Sequence, residues 1–126
     1  MTIKNFQEIC HQIAVEKGFW NKILCKKCDA LGEIFSSEWK ICQDCEGQGY
    51  ILDRNNGEAI ALMHSELSEA LEAIRQNEWE NVAEELADLL IRVMDFCEAK
   101  DIDLETEIIK KIEKNKTRPY KHNKEF

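Results

Sequence analysis

Four cysteines stand in two pairs of identical spacing, Cys25-x-x-Cys28 and Cys42-x-x-Cys45. Thiolates three apart in a turn converge on one point. Two such turns facing each other make a closed all-sulfur tetrahedron, the site that suits Zn2+ and builds structure rather than doing chemistry. The flanks repeat as well: Cys25-Lys-Lys-Cys28-Asp-Ala30-Leu-Gly32 and Cys42-Gln-Asp-Cys45-Glu-Gly47-Gln-Gly49. Small residues two and four positions after the second cysteine let the backbone fold back toward a metal. A redox dithiol, unrelated buried thiols or an iron–sulfur centre would use the same residues and stay open at this point.

A second constellation is acidic: Glu66-x-x-Glu69 and Glu85-x-x-Asp88. At i and i+3 on a helix, each pair of carboxylates leaves the same side. Such pairs also arise by chance on solvated faces, as Asp95-x-x-Glu98 illustrates. Position on the helix is more telling. At about 100° per residue, Glu66 falls among Ala59, Ala70 and Ala73, and Glu85 borders Leu89 and Phe96. Carboxylates on the edge of an apolar stripe repel one another unless protonated or neutralised. A divalent cation would do this, and an oxygen-only site suits Mg2+. Arg92 competes, since it follows Asp88 by four residues and Glu85 by seven and could neutralise both without metal.

Charge is partitioned along the chain. Residues 56–113 hold 16 acids and 5 bases, whereas 114–126 hold 5 bases and 1 acid. An acidic cation site beside a basic end suits a polyphosphate whose oxygens bridge metal and Lys or Arg. Lys111, Asn115 and Arg118 would follow one another on one helix face. A solvated basic tail that complements the helix dipole explains the same charges.

The elements that must position these groups are helical. A chain of 126 residues with one Pro, five Gly and 44% hydrophobic residues reads as one all-α domain with room for a small insert. Apolar spacing predicts helix one over about 3–24, weakened at Gly18, helix two over 58–76 and helix three over 78–99. Helix four starts after an Asp103 N-cap and stops before Pro119. Asn77 and Glu80 resemble a capping box for helix three. Helix three has an apolar face wide enough to be central or to meet a second subunit. Residues 25–55 lack helical periodicity and need an internal staple to fold. Cys10 and Cys97 lie in apolar stripes and read as packing. No apolar run reaches membrane-span length and charges interrupt the N-terminal stretch, so the expected setting is cytoplasmic. The net charge of −8, and an insert with 4 bases against 6 acids, disfavour nucleic acid as a partner.

With 25–55 set aside, Glu16-Lys-Gly-Phe-Trp20 runs on to Gly57-Glu-Ala-Ile-Ala-Leu-Met-His-Ser-Glu66-Leu-Ser-Glu69-Ala-Leu-Glu-Ala-Ile-Arg75. Glu84-Glu-Leu-Ala-Asp-Leu-Leu-Ile-Arg92 and Asn115-Lys-Thr-Arg118-Pro-Tyr-Lys-His122 follow. The combination resembles the MazG-like all-α nucleoside triphosphate pyrophosphohydrolases, and the cysteine repeats resemble DnaJ-type zinc fingers with Ala30 in place of one Gly. The resemblance implies a four-helix core over 1–24 and 56–126, a zinc insert over 25–55, and Mg2+ at Glu66, Glu69, Glu85 and Asp88. It implies water attack on the α-phosphorus of a nucleoside triphosphate, with Glu69 the chosen base, and release of monophosphate and pyrophosphate. Lys111, Asn115, Arg118 and Tyr120 match its triphosphate contacts, and Trp20 either stacks on the base or packs in the core. It also implies self-association as a dimer or a dimer of dimers. Two other readings compete: a non-enzymatic zinc module on a helical oligomerisation platform, and an enzyme of the same fold acting on another phosphoanhydride.

Overall fold

The computed structural model describes residues 1–119. Among these residues are four helices, α1 (Ile3–Glu16), α2 (Asn56–Arg75), α3 (Trp79–Ala99) and α4 (Leu104–Lys116), and four short strands between α1 and α2 in the chain. The strands are β1 (Lys22–Leu24), β2 (Glu33–Phe35), β3 (Trp39–Ile41) and β4 (Tyr50–Leu52). They form two antiparallel pairs, β1 with β4 and β2 with β3, with Ile23 opposite Ile51 and Ile34 opposite Lys40. The helical core is as expected, but the two small sheets make the chain other than all-α. Among the described residues no helix is long and apolar enough to cross a membrane.

Helix ends explain where the boundaries moved. Helix α1 stops at Glu16 instead of running to 24, because Gly18 takes φ 82° and the amides of Gly18 and Phe19 fold back to Val15 and Ala14 oxygens. That paired return is a Schellman stop, which glycine adopts at little steric cost. Trp20 therefore lies beyond the helix. The expected Asn77 capping box does not form either. Asn77 has φ 59° and closes α2, with its amide on Ile74 O and the Glu78 amide on Ala73 O, while α3 starts without a side-chain cap. Asparagine tolerates the left-handed conformation, so the C-terminal role wins. A reciprocal box sits instead at the start of α2, where Asn55 Oδ1 accepts from the Glu58 amide at 3.0 Å and Glu58 Oε2 accepts from the Asn55 amide at 2.8 Å. Asp103 caps α4 as expected, accepting from the Thr106 amide at 3.0 Å.

The chain divides into two compact units, residues 13–62 and residues 1–12 with 63–126, described to 119. The buried hydrophobic cluster of the first is the set of four cysteines, with Ile34 against it. In the second, the buried residues are small or polar: Ala70, Ala73, Val82, Cys97, Gln7, Glu66 and Asp95. Gln7 is fully enclosed because it ties α1 to the α3–α4 link. Its amide donates to Ile102 O at 2.9 Å and its carbonyl accepts from the Leu104 amide at 3.3 Å. His11 Nδ1 lies 2.8 Å from Asp95 Oδ1, a second polar tie between α1 and α3. Large aliphatic residues of α2, α3 and α4 stay in contact with water, among them Leu71 at 53%, Leu90 at 54% and Ile109 at 55% exposure.

Candidate functional site

The sequence repeat around the cysteines becomes a near-symmetric pair of loops. Cys25 Sγ lies 3.8 Å from Cys42 Sγ, and Cys28 Sγ 3.6 Å from Cys45 Sγ, with all four buried. A zinc tetrahedron with Zn–S of about 2.3 Å has edges of about 3.8 Å, so the spacing fits that ion. The amides of Gly32 and Gly49 each approach a sulfur at 3.3 Å, Cys28 and Cys45 respectively. Such N–H···S contacts stabilise thiolates and orient them. The loops also exchange backbone bonds, Cys42 N to Gly32 O at 2.8 Å and Cys25 N to Gly49 O at 3.0 Å.

This exchange explains the small residues. A Cβ on Gly32 would run into the carbonyl oxygen of Gly47, and one on Gly49 into that of Ala30. Ala30 occupies the place equivalent to Gly47 and pays for it with φ 65°. Burial pushes the Cys28 thiol up to about 12, and the Cys25, Cys45 and Cys42 sulfurs add to this while the Gly32 amide opposes it. Burial acts on Cys45 in the same sense, but the Gly49 amide and the three neighbouring thiols outweigh it and bring it down to about 7. A cation held here would bind thiolates, and its arrival would displace thiol protons.

The acidic constellation lies on α2 and α3. Glu66, Glu85 and Asp88 bring one carboxylate oxygen each within 4.8 Å of one another, a hard-donor set that fits a divalent cation. Glu66 is buried, Glu85 half-buried and Asp88 exposed, so the cluster opens from the helix seam to water. The Glu85 carboxyl is held above its ordinary value, first by burial, then by the charge of Glu69, the contact with Glu66 and the charge of Asp88. Glu69 thus acts on the cluster electrostatically but is exposed and stands outside the trio.

Arg92 is half-buried, and its Nε donates to Glu66 Oε1 at 2.6 Å. Spacing alone puts Asp88 and Glu85 of its own helix within its reach. The structure pairs it instead with the buried acid across the helix seam, where a charge gains most from a counter-charge.

Lys111 and Asn115 are exposed on α4. Arg118 is half-buried, with its amide on Asn115 O at 3.1 Å. Tyr120 lies outside the described residues. In the other unit Trp20 packs its ring against the Arg54 guanidinium at 5.2 Å, and Phe19 does so at 5.4 Å. Sequence reasoning missed the Gln7 and His11 ties; a polar residue within the apolar stripe of α1 was the available signal.

Comparisons with curated proteins and with solved structures gave no match. The family model described as the MazG nucleotide pyrophosphohydrolase domain matches residues 55–122, a segment that holds all four carboxylates and Arg92. It spans more than half of the chain, which therefore belongs to the MazG nucleotide pyrophosphohydrolase family.

Proposed function

We propose that the protein is a Mg2+-dependent nucleoside triphosphate pyrophosphohydrolase. The observation that carries this reading is the convergence of Glu66, Glu85 and Asp88 within a segment matching a nucleotide pyrophosphohydrolase domain. When bound, a divalent cation supplies Lewis-acid polarisation of phosphate oxygens. Glu66, Glu85 and Asp88 would hold it, with Glu69 as a fourth acid at the rim. Glu69 is the acid left for base work, since it stands outside the trio and meets water. It would take a proton from the attacking water as the water oxygen bonds to the α-phosphorus. The bond from the α-phosphorus to the bridging oxygen breaks, and its electron pair leaves with the pyrophosphate. The products are a nucleoside monophosphate and pyrophosphate. Lys111, Asn115, Arg118 and Tyr120 are proposed to contact the triphosphate and Trp20 the base.

The domain division proposed is a catalytic helical part over 1–24 and 56–126 and an insert over 25–55 stapled by one Zn2+. The sulfur spacing supports that ion. Self-association as a dimer or a dimer of dimers is part of the same reading. The exposed aliphatic residues of α2 and α3, Leu67, Leu71, Leu86 and Leu90, support it.

The test is a panel of nucleoside and deoxynucleoside triphosphates incubated with and without Mg2+, with monophosphate, pyrophosphate and orthophosphate all quantified. Equal amounts of monophosphate and pyrophosphate, only with Mg2+, are expected. Orthophosphate as the primary product would place the cleavage at another bond. Inertness toward the whole panel would favour the zinc-module reading.

A further inference from the structure

Neutralising Glu66 does not by itself account for Arg92, whose geometry is that of a ligand-binding group. A guanidinium carries five N–H donors in one rigid plane. Among the described residues Arg92 uses one of them, Nε, on Glu66 Oε1 at 2.6 Å. The four donors on the two terminal nitrogens have no protein partner among those residues. The side chain keeps 34% of its surface exposed while its Glu66 partner keeps 7%, so Arg92 is anchored on a buried acid while its side chain stays partly open to water. The anchoring acid also contributes an oxygen to the Glu66–Glu85–Asp88 cluster.

We propose that Arg92 binds the triphosphate of the substrate through its terminal guanidinium nitrogens, held in orientation by the bond from Nε to Glu66. This rests on the triphosphate reading of the carboxylate site. Planar, paired N–H groups match phosphate oxygens in a bidentate manner, and a guanidinium stays charged at every working pH. Fixing Nε removes the freedom of the guanidinium to turn, so less order is lost when phosphate binds. The same bond places a cation beside an acidic trio that would otherwise repel a polyanion. Arg92 would thereby offset the charge that gathers on the leaving pyrophosphate as its bond to the α-phosphorus lengthens. A side chain that only neutralised Glu66 would be replaceable by lysine, whereas a fork shared between Glu66 and phosphate is not.

The test uses Arg92→Lys and Arg92→Gln in the full chain, with Mn2+ as a spectroscopic stand-in for Mg2+. Mn2+ affinity is read by electron paramagnetic resonance. Binding of α,β-imido nucleoside triphosphates is read by calorimetry, with circular dichroism to check helicity. For Arg92→Lys we expect Mn2+ affinity within about threefold of the parent protein, analogue affinity at least about tenfold weaker and kcat lower by roughly 10²–10³. Arg92→Gln should lose analogue binding while keeping or tightening Mn2+, since a competing positive charge is gone. Analogue binding by Arg92→Lys equal to that of the parent would overturn the proposal. So would a loss of analogue affinity in Arg92→Gln no larger than its loss of Mn2+ affinity. If the parent protein binds Mn2+ but no analogue, the triphosphate reading itself fails, a result separable from failure of the Arg92 assignment.

Discussion

Arg92 on α3 donates through Nε to Oε1 of Glu66 on α2 at 2.6 Å, joining the buried acid of the carboxylate cluster to the neighbouring helix. Glu66 is 5% exposed, so this bond is what allows a carboxylate to sit in the seam before any cation arrives. Glu66→Gln keeps an oxygen for Arg92 but loses the charge. Helicity should be retained, with Mn2+ affinity falling by about ten- to a hundredfold. Glu66→Ala strands Arg92, and urea unfolding should show a loss of about 1–3 kcal/mol, reduced from the fully buried case by the exposure of the guanidinium. An unchanged midpoint in Glu66→Ala would show the ion pair to be without structural weight.

Glu85 gives the site a pH dependence of definite sign. Its carboxyl is raised by burial first and then by Glu69, Glu66 and Asp88, so the metal-free fold binds its proton more tightly than the unfolded chain does. Between the ordinary value of 4.5 and the raised one, the fold therefore loses stability as pH increases. A divalent cation competes with that proton. Mn2+ affinity should rise with pH through this window, and Glu85→Gln should flatten the rise. A slope unaltered by that substitution would assign the proton to another group.

The cysteine loops make a prediction from backbone shape alone. Ala30 stands at φ 65° where the sister loop has Gly47 at φ 82°. The left-handed penalty for alanine is roughly 1–2 kcal/mol, and glycine's extra freedom in the unfolded chain takes back about 0.5–1. Ala30→Gly should therefore stabilise the metal-loaded insert by about 0.5–1 kcal/mol. Gly49→Ala should do the reverse by at least about 2 kcal/mol, because its Cβ meets the Ala30 carbonyl. Zinc retention during chelator titration reads both changes.

Removing the metal should unfold the insert. Its buried cluster is the four cysteines with Ile34 beside them, and no hydrophobic core replaces the sulfurs. Chelation, or Cys42→Ser, is expected to release one zinc per chain and to expose the strand amides of β2 and β3 to hydrogen exchange. Protected strands in zinc-free protein would contradict the staple.

The apolar surface of α3 predicts concentration-dependent assembly. Leu86 and Leu90 are 43% and 54% exposed, one turn apart on the same side. Leu90→Glu, followed by sedimentation, should shift the protein toward monomer without loss of Mn2+ binding. Monomeric parent protein at micromolar concentration would remove the self-association reading.

Four helices, the Asp103 cap, both cysteine pairs and the acidic pairs were legible because each follows from local spacing. The C-terminal end of α1 and the capping at the α2–α3 junction were not. Gly18 and Asn77 act as stops through positive φ, and Asn77 serves one helix end or the other depending on which backbone bonds close. The short strands of the insert carry no usable alternation over three residues each, so the two sheets were invisible until the cysteine loops brought them together.

Sequence by itself determined which groups could ligate, because thiols three apart and acids three apart in a helix share a side whatever surrounds them. Tertiary structure alone decided how charge is shared. Arg92 had acids of its own helix within reach at four and seven residues, yet it pairs with Glu66 on another helix. The physical reason is burial: a carboxylate cut off from water gains far more from a cation than exposed Asp88 does, and burial belongs to the packed fold rather than to spacing along one chain segment.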